Sequence, residues 1–102
     1  MAHVAYSDVA LADVERLVEF LLKEHPEAAL ETAGLITDAI EILERFPLVG
    51  RPAGEGLREL VISRGGAGYL ALYEYRAEVD LVTMLAIRHQ REAGYSDWHT
   101  AD

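Results

Sequence analysis

The run Ile87-Arg88-His89-Gln90-Arg91-Glu92-Ala93-Gly94-Tyr95 gathers an imidazole, two guanidiniums and a phenol within nine positions. Guanidiniums grip phosphate through paired N–H donors, and an imidazole or a phenol can move a proton. Cleavage of RNA through its own 2′-hydroxyl requires those groups. A plainer reading stands beside it: Arg and His at a strand end often satisfy carbonyls or pair with carboxylates such as Glu59, Glu74 or Glu92. Spacing alone does not choose between the two.

Other residue clusters carry less. Arg64 precedes Gly65-Gly66-Ala67-Gly68, but no strand–loop–helix order follows and the Lys-Ser/Thr ending of a phosphate loop is missing, so the segment reads as a hairpin turn. Arg64 joins Arg88, His89, Arg91 and Tyr95 as a candidate target-binding side chain. His3, His25 and His99 have no partners at metal-ligand spacing and the chain has no cysteine, so neither a metal nor another cofactor is expected. Trp98 reads as a lid over one edge of the core.

The elements that must position these groups follow from hydrophobic period and from helix and strand breakers. His3-Val4-Ala5-Tyr6 alternates as a short strand, and Ser7 and Asp8 offer N-cap oxygens. Val14, Leu17, Val18, Leu21 and Leu22 recur at helical spacing, which predicts a helix over about residues 8–24. Pro26 suits a first helical turn, and Leu30, Ala33, Ile36, Ile40 and Leu43 give a second stripe that Phe46-Pro47 ends. Helices joined so tightly fold back as a hairpin. Residues 47–56 hold two prolines and three glycines and read as an irregular connector. Three strands then follow, about Arg58–Ser63, Tyr69–Arg76 and Asp80–Arg88. The predicted class is α+β, in the order β-α-α-β-β-β, with the hairpin on one face of a mostly antiparallel sheet.

Both faces of that sheet look fit for burial. Leu81, Thr83, Leu85 and Ile87 share one side and Val82, Met84 and Ala86 the other, while Leu70 and Leu72 oppose Tyr69, Ala71, Tyr73 and Tyr75. One hairpin covers one face, so the other is expected to be an interface, with Tyr69, Tyr73, Tyr75, Val82 and Met84 as its contact residues. The alternative is that residues 46–57 or the C-terminal tail close over it.

Composition bounds the rest. The 102 residues suit a single small domain over 1–102, 51% apolar and 26% charged, with a net charge of −9. Residues 1–45 carry ten acidic and three basic side chains, and residues 46–102 carry eight and six. Free nucleic acid is therefore an unfavourable ligand, and a protein partner is expected. No run approaches the roughly 20 apolar residues of a spanning helix, and Met1–Asp8 has no basic-then-apolar leader, so no membrane association and a cytoplasmic location are expected.

Taken in order, the Ser7–Val14 helix start, Phe46-Pro47-Leu48-Val49-Gly50-Arg51-Pro52, Leu57-Arg58-Glu59-Leu60, Gly68-Tyr69 with Tyr73, and Ala86–Glu92 resemble the RelE/ParE superfamily of type II toxin–antitoxin toxins. The likeness is greatest to the ParE-like, plasmid-stabilisation branch. It implies the fold already reached, a cognate ParD-like or other antitoxin that forms a hetero-oligomer with the toxin, and one of two activities. ParE-like members poison DNA gyrase and cause growth arrest, whereas RelE-like members cut messenger RNA in the ribosome. RelE-like chains carry an arginine where this one has Leu70, and lysines in the strand where it has Leu60-Val61-Ile62. His89 and Tyr95 match positions that such nucleases use. The resemblance thus favours a gyrase inhibitor with no catalytic residues, and keeps a ribonuclease using Arg88, His89, Arg91 and Tyr95 as the alternative.

Overall fold

A computed structural model describes residues 1–64 and 67–100, the side chains of 63, 64, 67 and 100 excepted. Strand β1 spans His3–Tyr6, helix α1 Asp8–Glu24 and helix α2 Pro26–Glu41, the last running into a tight turn at Ile42–Glu44. Ser7 caps α1 by accepting the Ala10 N–H at 3.1 Å, and Pro26 opens α2, where its missing donor costs nothing. Strands β3 (Leu57–Arg64), β4 (Ala67–Arg76) and β5 (Leu81–His89) follow. Gly65-Gly66 of the expected hairpin turn lie outside the described residues.

The connector read as irregular contributes a two-residue strand, β2 (Arg51–Pro52), which pairs antiparallel with Arg58 and Glu59 of β3. The sheet order is β1-β5-β4-β3-β2, with β1 parallel to β5 and every other pair antiparallel. The α+β class and the hairpin-on-sheet arrangement are as the sequence predicts.

The face that the helices cover is the opposite of the one expected. Leu17, Ile36, Ile40 and Leu43 pack against Ile62, Tyr69, Tyr73, Val82 and Met84, all buried. Tyr69, Tyr73, Val82 and Met84 are therefore interior residues and offer no surface to an antitoxin, and Tyr75 is half-buried with its hydroxyl donating to Asp80 Oδ1 at 2.6 Å. Alternation shows which side chains share a face, and it is silent on which face receives the helices when both are apolar.

A β-bulge accounts for a second difference. Leu72 pairs with Ala86 but Tyr73 pairs with Met84, so Leu85 is an extra residue in β5. Beyond it the alternation inverts. Ile87 joins Val82 and Met84 in the core, and Ala86 turns to the far face with Leu70 and Leu72.

That far face is not left bare. Leu70, Leu72 and Ala86 are buried although they lie outside the helix-facing cluster. The Tyr95 side chain reaches from Arg88 on β5 to Glu59 on β3, across the intervening β4. The C-terminal tail closes part of the second face, as the alternative reading of the sequence had it.

Candidate functional site

Arg88 and His89 are neighbours in β5, so their side chains leave opposite faces of the sheet. The four groups of the Arg88–Tyr95 run consequently divide into two places. Arg88 and Tyr95 meet on the far face, while His89 and Arg91 line a cleft on the helix side.

On the far face, the Arg88 guanidinium lies 5.0 Å from the Tyr95 ring centroid. Its Nη1 donates to the Glu92 carbonyl at 2.6 Å and, at longer range, to the carbonyls of Gln90 and His89. Arg88 Nε is buried and, among the described residues, has no hydrogen-bond partner. Beside it, Glu59 holds the centre of a cluster that composition and spacing did not single out. Its Oε1 accepts from Arg51 Nε at 2.9 Å and from Arg51 Nη2 at 2.6 Å, and its Oε2 accepts from the Tyr95 hydroxyl at 2.5 Å. Burial pushes the Tyr95 phenol above its ordinary range, and its hydrogen bond to Glu59 pushes it further the same way. Burial alone would raise Glu59, but the Tyr95 and Arg51 hydrogen bonds and the charges of Arg51 and Arg88 outweigh it, holding this carboxyl below the usual carboxylate range.

Register accounts for this meeting. Glu59 stands opposite Leu72 of β4 and opposite Arg51 of β2, and Arg88 stands opposite Leu70, so all project from the same face within two residue rows. The signal available in the sequence was weak: Glu59 could be named as an ion-pair partner, but Arg51 lay in a segment with no period to place it.

On the helix side, His89 stands edge-on to Tyr69 with ring centroids 5.2 Å apart, and its Nδ1 accepts the Arg91 N–H at 3.1 Å. These residues, with Leu17, Phe20 and Leu21 of α1, line an open cleft of about 710 Å³. Its wall is apolar and its rim carries His25, Arg91 and the Arg16–Glu92 ion pair at 2.6 Å. Phe20 is 63% exposed there.

Several charged residues near the run are structural. β1 pairs with β5 only as far as Met84, so the outer edge of β5 beyond it needs other partners. Ser7 Oγ donates to the Leu85 carbonyl, Asp13 Oδ2 accepts the Ile87 N–H at 2.8 Å, and Glu92 Oε1 accepts the His89 N–H at 2.8 Å. Asp13 Oδ1 also accepts from Ser96 Oγ at 2.7 Å and ties the tail to α1. Arg64 ends β3, but its side chain lies outside the described residues. Among the described residues no three His, Asp or Glu side chains converge as metal ligands, and no helix is long and apolar enough to cross a membrane.

The family described as the ParE toxin of the type II toxin–antitoxin system parDE matches residues 4–94. A curated relative, Toxin RelE3 of Caulobacter vibrioides, is 34% identical over 92 residues, covering 90% of this chain and 98% of its own. Two solved structures share the fold. One, described as the chromosomal ParDE toxin–antitoxin system from P. aeruginosa, superposes with a TM-score of 0.73 at 22% identity, over 87% of this chain and 96% of its own. The other, the toxin–antitoxin complex RelBE2 from Mycobacterium tuberculosis, gives 0.54 at 26% identity, over 87% and 98%. Matched along nearly its whole length and folded in the same order of elements, the chain belongs to the ParE family of type II toxins, within the RelE/ParE superfamily.

Proposed function

We propose that this protein is a toxin that arrests growth by binding a protein target, DNA gyrase, and that a cognate antitoxin neutralises it. One observation carries the choice of protein binding over RNA cleavage: a carboxylate, Glu59, sits among the cations and the phenol of the far face. An RNA-cutting site needs unengaged cations for phosphate and a group whose proton is free to move. Here Arg51 and Tyr95 are bound to Glu59, Arg88 Nη1 is bound to backbone carbonyls, and the phenol is held protonated beyond its ordinary range. His89, the remaining proton carrier, lies on the other side of the sheet.

The cleft beside α1 is the surface best suited to the antitoxin. Its apolar wall of Leu17, Phe20 and Leu21 and the Arg91 cation on its rim complement an acidic amphipathic helix that inserts apolar side chains. Of the residues first named for the target, Arg91 and His89 stay accessible in this cleft, and Arg88 and Tyr95 border the far face.

Supercoiling by purified gyrase, followed with and without the protein, tests the target: inhibition with trapped cleaved DNA is expected, and unchanged supercoiling would count against it. The second reading rests on the name of the Caulobacter relative, a RelE. Mapping messenger RNA ends after induction separates the two, because new ends within translated codons would favour a ribosome-dependent endoribonuclease using Arg88, His89, Arg91 and Tyr95.

A further inference from the structure

We infer that Glu59 is an intramolecular plug: its carboxylate fills a cradle made by Arg51, Arg88 and Tyr95 whose donors suit a phosphate oxyanion, and by filling it keeps phosphate off this face of the sheet. The geometry is that of an anion site with its anion built in. One carboxylate oxygen takes two guanidinium N–H groups of Arg51, and the other takes the Tyr95 hydroxyl. A phosphodiester also presents two unshared oxygens, and the same donors would serve them. Arg88 adds a second positive charge beside the carboxylate, and its buried Nε is a donor with no acceptor among the described residues. The groups facing the centre are Arg51 from β2, Glu59 from β3, Arg88 from β5 and Tyr95 from the tail, two cations to one carboxylate.

The plug prevails because it is tethered. Glu59 is fixed in a strand and competes at the effective concentration of an intramolecular group, whereas a phosphate must come from solution. Displacing the carboxylate would also leave it unpaired, with its side chain only 13% exposed. A chain of net charge −9 adds long-range repulsion. The identity of one side chain thus decides whether this face attracts phosphate. In the cell, this gives a reason for the protein-binding reading above and rests on it.

The test uses the full chain and two probes, inorganic phosphate and a short fluorescently labelled single-stranded RNA. Wild-type protein is expected to bind neither at moderate salt. Glu59→Ala should bind both, roughly tenfold or more tighter than wild type, the size of one charge-assisted hydrogen bond. Binding should weaken as salt rises, and inorganic phosphate should compete the RNA away. RNA binding that phosphate does not compete would place the contact elsewhere and overturn the assignment. So would a gain that survives Arg51→Ala and Arg88→Ala added to the first substitution, or no gain at all. Glu59→Gln, which keeps the shape and loses the charge, covers the case in which the alanine variant does not fold. It should show a smaller gain that Arg88→Ala removes, and the absence of any gain would overturn the plug. No gyrase or antitoxin enters these measurements, so their failure leaves the target open, and failure of the supercoiling assay leaves the cradle standing.

Discussion

Tyr73 shows how one side chain can look like a contact residue and act as an anchor. Its hydroxyl donates to the Pro47 carbonyl at 2.8 Å and accepts the Gly50 N–H at 2.9 Å, and so fixes the connector that brings Arg51 to Glu59. Tyr73→Phe removes both bonds from a buried site and is expected to cost about 1–3 kcal/mol, read from the urea midpoint. Gly50 is needed there for a spatial reason: a Cβ would stand 2.6 Å from the Tyr73 ring and hydroxyl, so Gly50→Ala should destabilise by roughly 1–3 kcal/mol or more. The Tyr95–Glu59 pair makes a prediction in pH. Because the folded phenol titrates above its unfolded value of about 10, its contribution is complete below that pH and is lost only as pH climbs through the higher folded value. Glu59, held low, contributes above the ordinary carboxylate range and loses that contribution as pH falls through its own lower value. In ultraviolet difference titration, the Tyr95 signal should move back toward the ordinary phenol range in Glu59→Ala. A titration unaltered by that substitution would contradict the pairing.

At the level of elements, the hairpin stripes were read correctly in period and only partly in phase. Ile36 and Ile40 of α2 are buried, whereas Leu30, placed on the same stripe by spacing, is 86% exposed. Ile36→Ala should therefore cost about 2–5 kcal/mol, and Leu30→Ala should stay within about 0.5 kcal/mol, both from equilibrium unfolding. The exposed Phe20 belongs to the cleft rather than the core. Phe20→Glu is expected to leave the fold and toxicity intact and to abolish rescue by the antitoxin in a co-expression growth assay. Rescue that persists would move the antitoxin elsewhere. The bulge at Leu85 was beyond the reach of period reading, since an extra residue leaves the composition of a strand unchanged while exchanging the faces of all that follows.

Across the whole molecule, the sheet is covered twice, by helices on one face and over part of the other by the tail. Tyr95 and Ser96 tie that tail to Glu59 and Asp13, and Leu70, Leu72 and Ala86 are buried on the face it crosses. Truncation after Gly94 should expose them. We expect a lower urea midpoint and increased binding of a hydrophobic dye, and a truncated chain that binds no more dye than the full one would show that the tail is not the cover. The acidic surface bears on partners at the same scale: a charge of −9 makes retention on a polyanion column at low salt unfavourable.

The sequence by itself determined the order of elements, the hairpin, the Ser7 cap, the Pro26 boundary and the family, because each rests on local spacing or on short segments in fixed order. It also named Arg88, His89, Arg91 and Tyr95 as candidates for one surface, of which the fold brings only Arg88 and Tyr95 together. Tertiary structure alone decided which apolar face the helices took, that the bulge sent Ile87 inward, and that Glu59 and Arg51 completed the far-face cluster. Those outcomes depend on strand register and on the closure of segments distant along the chain, where residues 51, 59, 88 and 95 become neighbours by pairing and not by proximity in sequence.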